Sequence, residues 1–219
     1  VTIPGTRGET AAVEATFVFV DLDGYTAASW VHGDDTAADL AITLLEMAIA
    51  SCQGGDEVVK SIGDAVMCKS TDPASALALV RRLWARADAE PHFPQLRGAL
   101  NHGSATMYRD DYFGTTVNIA ARLAALAEAD EILATGPVAD AATTVSWSVE
   151  PGGERHLRNI GEPIDVFRLA PHDRVPNPID PICHMRVDPA DAVSLMSDGD
   201  VVYFCSAGCR DVFETRRLG

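Results

Sequence analysis

Runs of apolar residues divide the chain into segments with two different periods. "EATFVFVDLDG" (14–24) is continuously apolar until it ends in acids and Gly, which predicts a buried strand opening into a loop. From Asp34 to Cys52 the apolar positions Leu40, Leu44, Leu45, Met47 and Ala48 recur at helical spacing, behind Asp and Thr as caps. Residues 58–69 read as two short apolar strands joined by a tight Ser-Ile-Gly-Asp connection. Asp72 and Pro73 supply an N-cap and a first-turn Pro for an Ala/Leu-rich helix to about residue 88. "LRGALNHGSATMYR" (96–109) predicts a strand pair with Gly103 near its middle, "TTVNIAARLAALA" (115–127) a helix, and "EILATG" (131–136) a short strand. Residues 144–169 read as edge strands around a Pro-Gly-Gly turn. The order β-α-β-β-α-β with additions predicts an α+β, ferredoxin-like fold, a sheet with helices on one face. "APHDRVPNPIDP" (170–181), with four prolines, reads as a linker. The tail beyond it, about 40 residues, is too small for a self-sufficient core without a staple such as a metal.

Composition narrows the function classes. The 219 residues are 47% hydrophobic, enough for a packed core, with no apolar run long enough for a membrane span. No basic segment precedes an apolar one in the manner of a secretory signal, so the expected location is the cytoplasm. A net charge of −15 argues against a bare nucleic-acid or anionic-membrane surface, so neither is an expected partner. A nucleotide remains open, because a divalent cation reverses the local field. Of five cysteines, Cys183, Cys205 and Cys209 crowd the tail, which suggests reduced thiols or a metal site rather than a disulfide framework.

The candidate chemistry starts at "VVKSIGDAVM" (58–67). The chain has two lysines against fifteen arginines, yet Lys60 stands on a strand and Asp64 in the following turn. Asp21 ends the first strand, and in a ferredoxin-like sheet the two strands are neighbours. Both carboxylates then reach one point at the sheet edge, a hard-oxygen set suited to Mg²⁺ or Mn²⁺. The competing reading is that strand-end acids are caps or solvated turn formers. Asp23 and Gly24 open a helix whose free N–H groups, through Tyr25 and Thr26, suit phosphate oxygens. Asn118 and Arg122 lie four apart on one helical face, as an amide and a guanidinium for ribose and phosphate or simply as a polar stripe.

Taken together, "FVFVDLDGYT", "VVKSIGDAVM" and "DYFGTTVNIAARL" resemble the signature segments of the class III nucleotidyl cyclases, the adenylate and guanylate cyclases. "LRNIGEPIDVFRL" (157–169) resembles that domain's closing strand. The resemblance divides the chain into a leader (1–13), a cyclase domain (14–170), a linker (171–179) and a tail (180–219). It implies that Asp21, Asp64 and the Leu22 carbonyl hold two Mg²⁺ or Mn²⁺ ions, that Lys60 and Asp111 read the purine, and that Asn118 and Arg122 serve the transition state. An ammonium beside a carboxylate complements adenine's N1 acceptor and 6-amino donor, so ATP is the expected substrate and cyclic AMP the product. The family's site straddles two subunits, which implies a homodimer with two composite sites. Where some members hold the β/γ-phosphates with a lysine, this chain has Ile160, and Arg158 is the candidate substitute.

"DPICHMRV" (180–187) and "VVYFCSAGCRDVF" (201–213) resemble a YHS domain, a small metal-associated module. Cys183, Cys205 and Cys209 suit Zn²⁺ or another soft metal, with His184, at a position usually Gly, as a candidate fourth ligand. The alternative is a set of reduced core thiols in a tail packed by Tyr203, Phe204 and Phe213. His32, His92, His102, His156 and His172 show no ligand spacing and are read as structural or solvated. Two other function classes stand beside the cyclase: a catalytically silent nucleotide sensor, and a metal sensor acting through its tail.

Overall fold

The computed structural model describes residues 10–171 and 178–218. The leader's first nine residues and most of the predicted linker, including His172, lie outside them.

In chain order the elements are β1 (Thr10–Leu22), α1 (Tyr25–His32), α2 (Asp34–Ser51), β2 (Glu57–Ile62), β3 (Ala65–Ser70), α3 (Pro73–Ala89), β4 (Leu96–Tyr108) and β5 (Asp111–Phe113). They continue as α4 (Thr115–Ala124), β6 (Ile132–Thr135), α5 (Gly136–Ala142), β7 (Trp147–Arg155), β8 (Ile164–Pro171), β9 (Val193–Ser197), β10 (Asp200–Phe204) and α6 (Ala207–Leu218). One sheet runs β2-β3-β1-β4-β6-β8-β7, with β5 paired to β4; β9 and β10 form a separate hairpin.

Strand β1 is central, and its continuous apolar run has a direct cause. Val18, Val20 and Leu22 pack into a core with Leu44, Leu83 and Trp84 of α2 and α3. The intervening Phe17 packs with Val117 and Ala120, and Phe19 against the cluster around Leu123. Helix α4 therefore lies on the sheet face opposite α2 and α3. This corrects the expectation of helices on one face only: a strand apolar at every position has two faces to bury.

Two further expectations change. Residues 96–108 form one strand, paired antiparallel with β1 from Thr10↔Tyr108 to Leu22↔Leu96. Gly103 makes no turn; a Cβ there would lie 3.1 Å from Thr116 Oγ1, so the glycine admits α4 against the sheet. The Pro-Gly-Gly stretch is a bulge within β7, where the register with β8 shifts between Pro151 and Gly153. Strand β1 also starts earlier than the predicted residue 14.

Residues 178–218 pack onto the rest of the chain. Ile182, Cys183, Met185, Phe204 and Cys209 share a core with Ala28 of α1, flanked by Val31 and Leu40. Met185 bridges Pro94, and the buried Arg186 donates to the Pro94 carbonyl at 2.6 Å and pairs with Asp88 at 3.0 Å.

Candidate active site

The β1–β3 register sets Asp21 opposite Ala65, so Asp64, one residue earlier in the turn, lies beside it. Burial and then the neighbouring Asp21 carboxylate raise the Asp64 pKa above the ordinary aspartate value. Two adjacent carboxylates that resist joint ionisation fit a divalent cation of hard character, the donor set expected of Mg²⁺ or Mn²⁺. Arg97, opposite Asp21 in the β1–β4 register, donates to Asp21 Oδ2 at 2.6 and 3.0 Å and supplies part of the missing positive charge. Sequence reasoning missed Arg97; aligning β4 with β1 over their full length would have found it.

Lys60 and Asp111 meet directly, with Nζ 2.8 and 2.6 Å from the two carboxylate oxygens. A register shift between Val58 and Lys60 marks a bulge that re-aims the lysine. Desolvation works to raise the Asp111 pKa, but the Lys60 hydrogen bond and the Tyr112 N–H at 2.8 Å hold it below the usual carboxylate range. The pair thus presents a cation beside an ionised acceptor. Tyr112, whose hydroxyl donates to Glu57 at 2.6 Å, fastens β5 to β2.

Helix α4 carries Asn118, exposed, and Arg122, half-buried. Arg122 Nη1 is buried with no hydrogen-bond partner among the described residues, a cationic donor of the kind a phosphate satisfies. The helix is held by Asn101 Nδ2, which donates to the Thr116 carbonyl at 2.8 Å.

Gly24 caps α1 in the left-handed conformation (φ 75°), which glycine adopts without strain. No side chain caps this helix end, and Gly24 accepts only at its carbonyl, from Ala28 N–H. Asp23 differs from expectation: its N–H donates to the Gln95 carbonyl at 2.8 Å, so the available donors begin at Gly24 and continue through Tyr25 and Thr26. Leu22 is buried at the end of β1. Arg158 is exposed in the turn between β7 and β8, and among the described residues it makes no ion pair or hydrogen bond.

The tail cysteines converge, and the fourth group is not the one expected. Cys183 Sγ lies 3.4 Å from Cys205 Sγ, and Cys205 Sγ 3.6 Å from Cys209 Sγ. His32 Nε2 lies 3.5 and 3.7 Å from the Cys205 and Cys209 sulfurs. His184 points elsewhere: its Nδ1 contacts Asp23 Oδ2. The expectations for His184 as fourth ligand and for His32 as merely structural or solvated are therefore both corrected. His184 has φ 60°, a left-handed backbone conformation that glycine adopts without strain. Sequence adjacency to Cys183 misled, because ligand geometry follows the fold.

No protein-family model matches the sequence. Over 173 residues, 76% of this chain, it is 32% identical to a pH-sensitive adenylate cyclase of Mycobacterium tuberculosis and covers 42% of that protein. Over 120 residues, 52% of this chain, it is 34% identical to an adenylate cyclase of Glutamicibacter nicotianae and covers 29% of it. The chain thus spans less than half the length of these curated relatives. Among solved structures it resembles the adenylyl cyclase CyaB from P. aeruginosa, with TM-score 0.65 and 22% identity over 76% of this chain and 98% of that one. It also resembles an adenylate/guanylate cyclase/hydrolase from Silicibacter pomeroyi, with TM-score 0.63 and 24% identity over 74% and 99% of the two chains. The structural likeness is one of fold. Among the described residues, no helix is long and apolar enough to cross a membrane.

Proposed function

We propose that this chain, which carries a class III adenylate/guanylate cyclase homology domain, converts ATP to 3′,5′-cyclic AMP and pyrophosphate. The observation that carries the reading is the Lys60–Asp111 ion pair standing on the same fold as the Asp21–Asp64 acid pair and the orphaned Arg122 donor.

The reaction joins the ribose 3′-oxygen to the α-phosphorus as the bond to pyrophosphate breaks and the hydroxyl proton leaves. Asp21, Asp64 and the Leu22 carbonyl would hold the divalent cations. Such ions, when bound, make the hydroxyl more acidic and offset the charge of the polyphosphate. Lys60 has a donor to spare for adenine N1, and Asp111 accepts from the 6-amino group. Guanine reverses both polarities, and each mismatched buried group costs about 1–3 kcal/mol. Asn118 orients the ribose, and Arg122 meets the charge that builds on the α-phosphate. The N–H groups of Gly24, Tyr25 and Thr26 at the start of α1 are the phosphate donors of this reading.

A second copy completes the site, with Asp21 and Asp64 from one protomer and Lys60, Asp111, Asn118 and Arg122 from its partner. Ile62 and Phe113, 58% and 50% exposed, sit on the strands that carry Lys60 and Asp111; covering them removes exposed apolar surface beside the purine pair.

The test is incubation of purified protein with ATP and Mn²⁺ or Mg²⁺, with Asp64→Ala in parallel. Cyclic AMP from the parent and none from the variant supports the reading. ATP binding without product from either would replace it with that of a silent nucleotide sensor.

A further inference from the structure

We propose that His32 of α1 closes a four-coordinate zinc site with Cys183, Cys205 and Cys209, and that the bound zinc clasps the C-terminal segment onto the cyclase fold. The four ligand atoms all lie within 4.8 Å of one another. Tetrahedral zinc with Zn–S about 2.3 Å and Zn–N about 2.0 Å sets sulfurs about 3.8 Å apart and sulfur to nitrogen about 3.5 Å. The sulfur pairs at 3.4 and 3.6 Å and the sulfur–nitrogen pairs at 3.5 and 3.7 Å are already close to that spacing. All three cysteines are free thiols, and Cys183 and Cys209 are fully buried. Three thiolates with one imidazole form a soft donor set that prefers zinc to the hard cations of the acid pair.

The surroundings hold these ligands in place. Asp180, fully buried, accepts from Ile182 N–H at 2.8 Å with one carboxylate oxygen and from Cys205 N–H at 2.8 Å with the other. One side chain thereby fixes both ligand-bearing loops, the role outer-shell partners play at metal sites. Cys209 enters from the first turn of α6, whose Ser206 Oγ accepts the Cys209 N–H at 3.3 Å. At the far end of that helix, the Arg216 guanidinium lies 6.0 Å from the Trp30 ring of α1.

The fourth ligand gives the site its consequence. Three ligands belong to the tail, but His32 is the last residue of α1, whose first residue, Tyr25, follows the Gly24 cap. An ion at this point ties the tail to the helix whose first turn supplies the proposed phosphate donors. Next to the cluster, His184 already lies against Asp23 and over Gly24, where a Cβ would lie 2.7 Å from His184 Cβ. A tail too small to fold on its own thus gains a staple, and the helix gains an anchor at its C-terminal end. The zinc site stands on this geometry alone and does not depend on the cyclase reading.

The test uses the full chain, purified under reducing conditions and loaded with Co²⁺ or Zn²⁺. The expected Co²⁺ form shows thiolate charge-transfer bands with intense tetrahedral d–d absorption. His32→Ala should weaken Zn²⁺ binding by more than the roughly 10–100-fold that loss of an outer-shell partner costs. It should also reduce hydrogen-exchange protection of the α1 amides, while His184→Ala keeps the metal and its spectrum. Should His32→Ala fail to fold, His32→Cys serves instead, with an added thiolate band as the expected result. Absence of metal uptake by the reduced protein, an unaltered affinity in His32→Ala, or an unaltered spectrum in His32→Cys would overturn the proposal.

Discussion

At Asp64, chemistry and stability oppose each other. Burial and Asp21 raise its pKa, so between the unfolded and folded values the native state binds more protons. The stabilising protonated form is present at low pH, and that contribution is lost as pH rises through the raised folded value. Near neutrality the ionised acid pair therefore weakens the metal-free fold. Asp64→Asn should raise the thermal midpoint of the metal-free protein at pH 7 by a few degrees, shrink that gain toward acid pH, and abolish turnover. Calorimetry across a pH series checks this; equal midpoints for parent and variant at pH 7 would remove the claim of a frustrated pair. The Lys60–Asp111 pair, proposed to read the purine, makes a separate prediction. Reversing its polarity with Lys60→Glu and Asp111→Cys should shift preference from ATP toward GTP by at least about fivefold, the smallest effect of one mismatched buried group. An unchanged ATP preference in competitive assays would show that base reading lies elsewhere. The acid pair was legible from the expected neighbourhood of its two strands, and the Lys60–Asp111 pair only through the resemblance of their segments to the cyclase family. Arg97 and His32 were not, because each gains its role only from a partner brought near by folding, across 76 residues for Arg97 and 173 for His32.

At the scale of elements, strands and helices follow from local pattern, while their faces follow from packing. The apolar run of β1 announced burial, but only the alternation of Phe17 and Phe19 with Val18, Val20 and Leu22 shows that two faces are covered. Residues 96–109 read as a strand pair with Gly103 near its middle because glycine marks both turns and close approaches, and sequence does not tell the two apart. Helix α4 carries Arg122 with a donor unsatisfied among the described residues, so in the proposed site truncation should act on the chemical step. Arg122→Ala is expected to lower kcat by about 10²–10³-fold with little change in KM, since the missing interaction strengthens in the transition state. A proportional rise in KM at constant kcat would make Arg122 a ground-state binding residue instead. Helix α1 tests the junction with the tail. Gly24→Ala introduces a left-handed alanine, costing about 1–2 kcal/mol, and a Cβ against His184. Its thermal midpoint should fall, and the variant carrying His184→Gly as well should recover part of the loss. No recovery would show that His184 does not crowd Gly24.

At the scale of the whole molecule, the acid pair and the purine pair are both complete within one chain, yet the proposed site draws one half from each of two copies. The sequence contains every residue of both proposed halves; what it does not display is which copy supplies which half. On the proposed reading, the contrast between a strongly acidic chain and an anionic substrate would be resolved locally, by Arg97, Arg122, Lys60 and the cations that the acid pair would hold. The most direct test is complementation. Asp64→Ala and Arg122→Ala protein, each inactive or nearly so alone, are mixed in equal amounts and assayed for cyclic AMP from ATP. Random pairing leaves one intact site in each mixed dimer, so activity should return to about a quarter of the parent value. A mixture no more active than its two components, under conditions where exchange of subunits is demonstrated, would contradict a site shared between two copies.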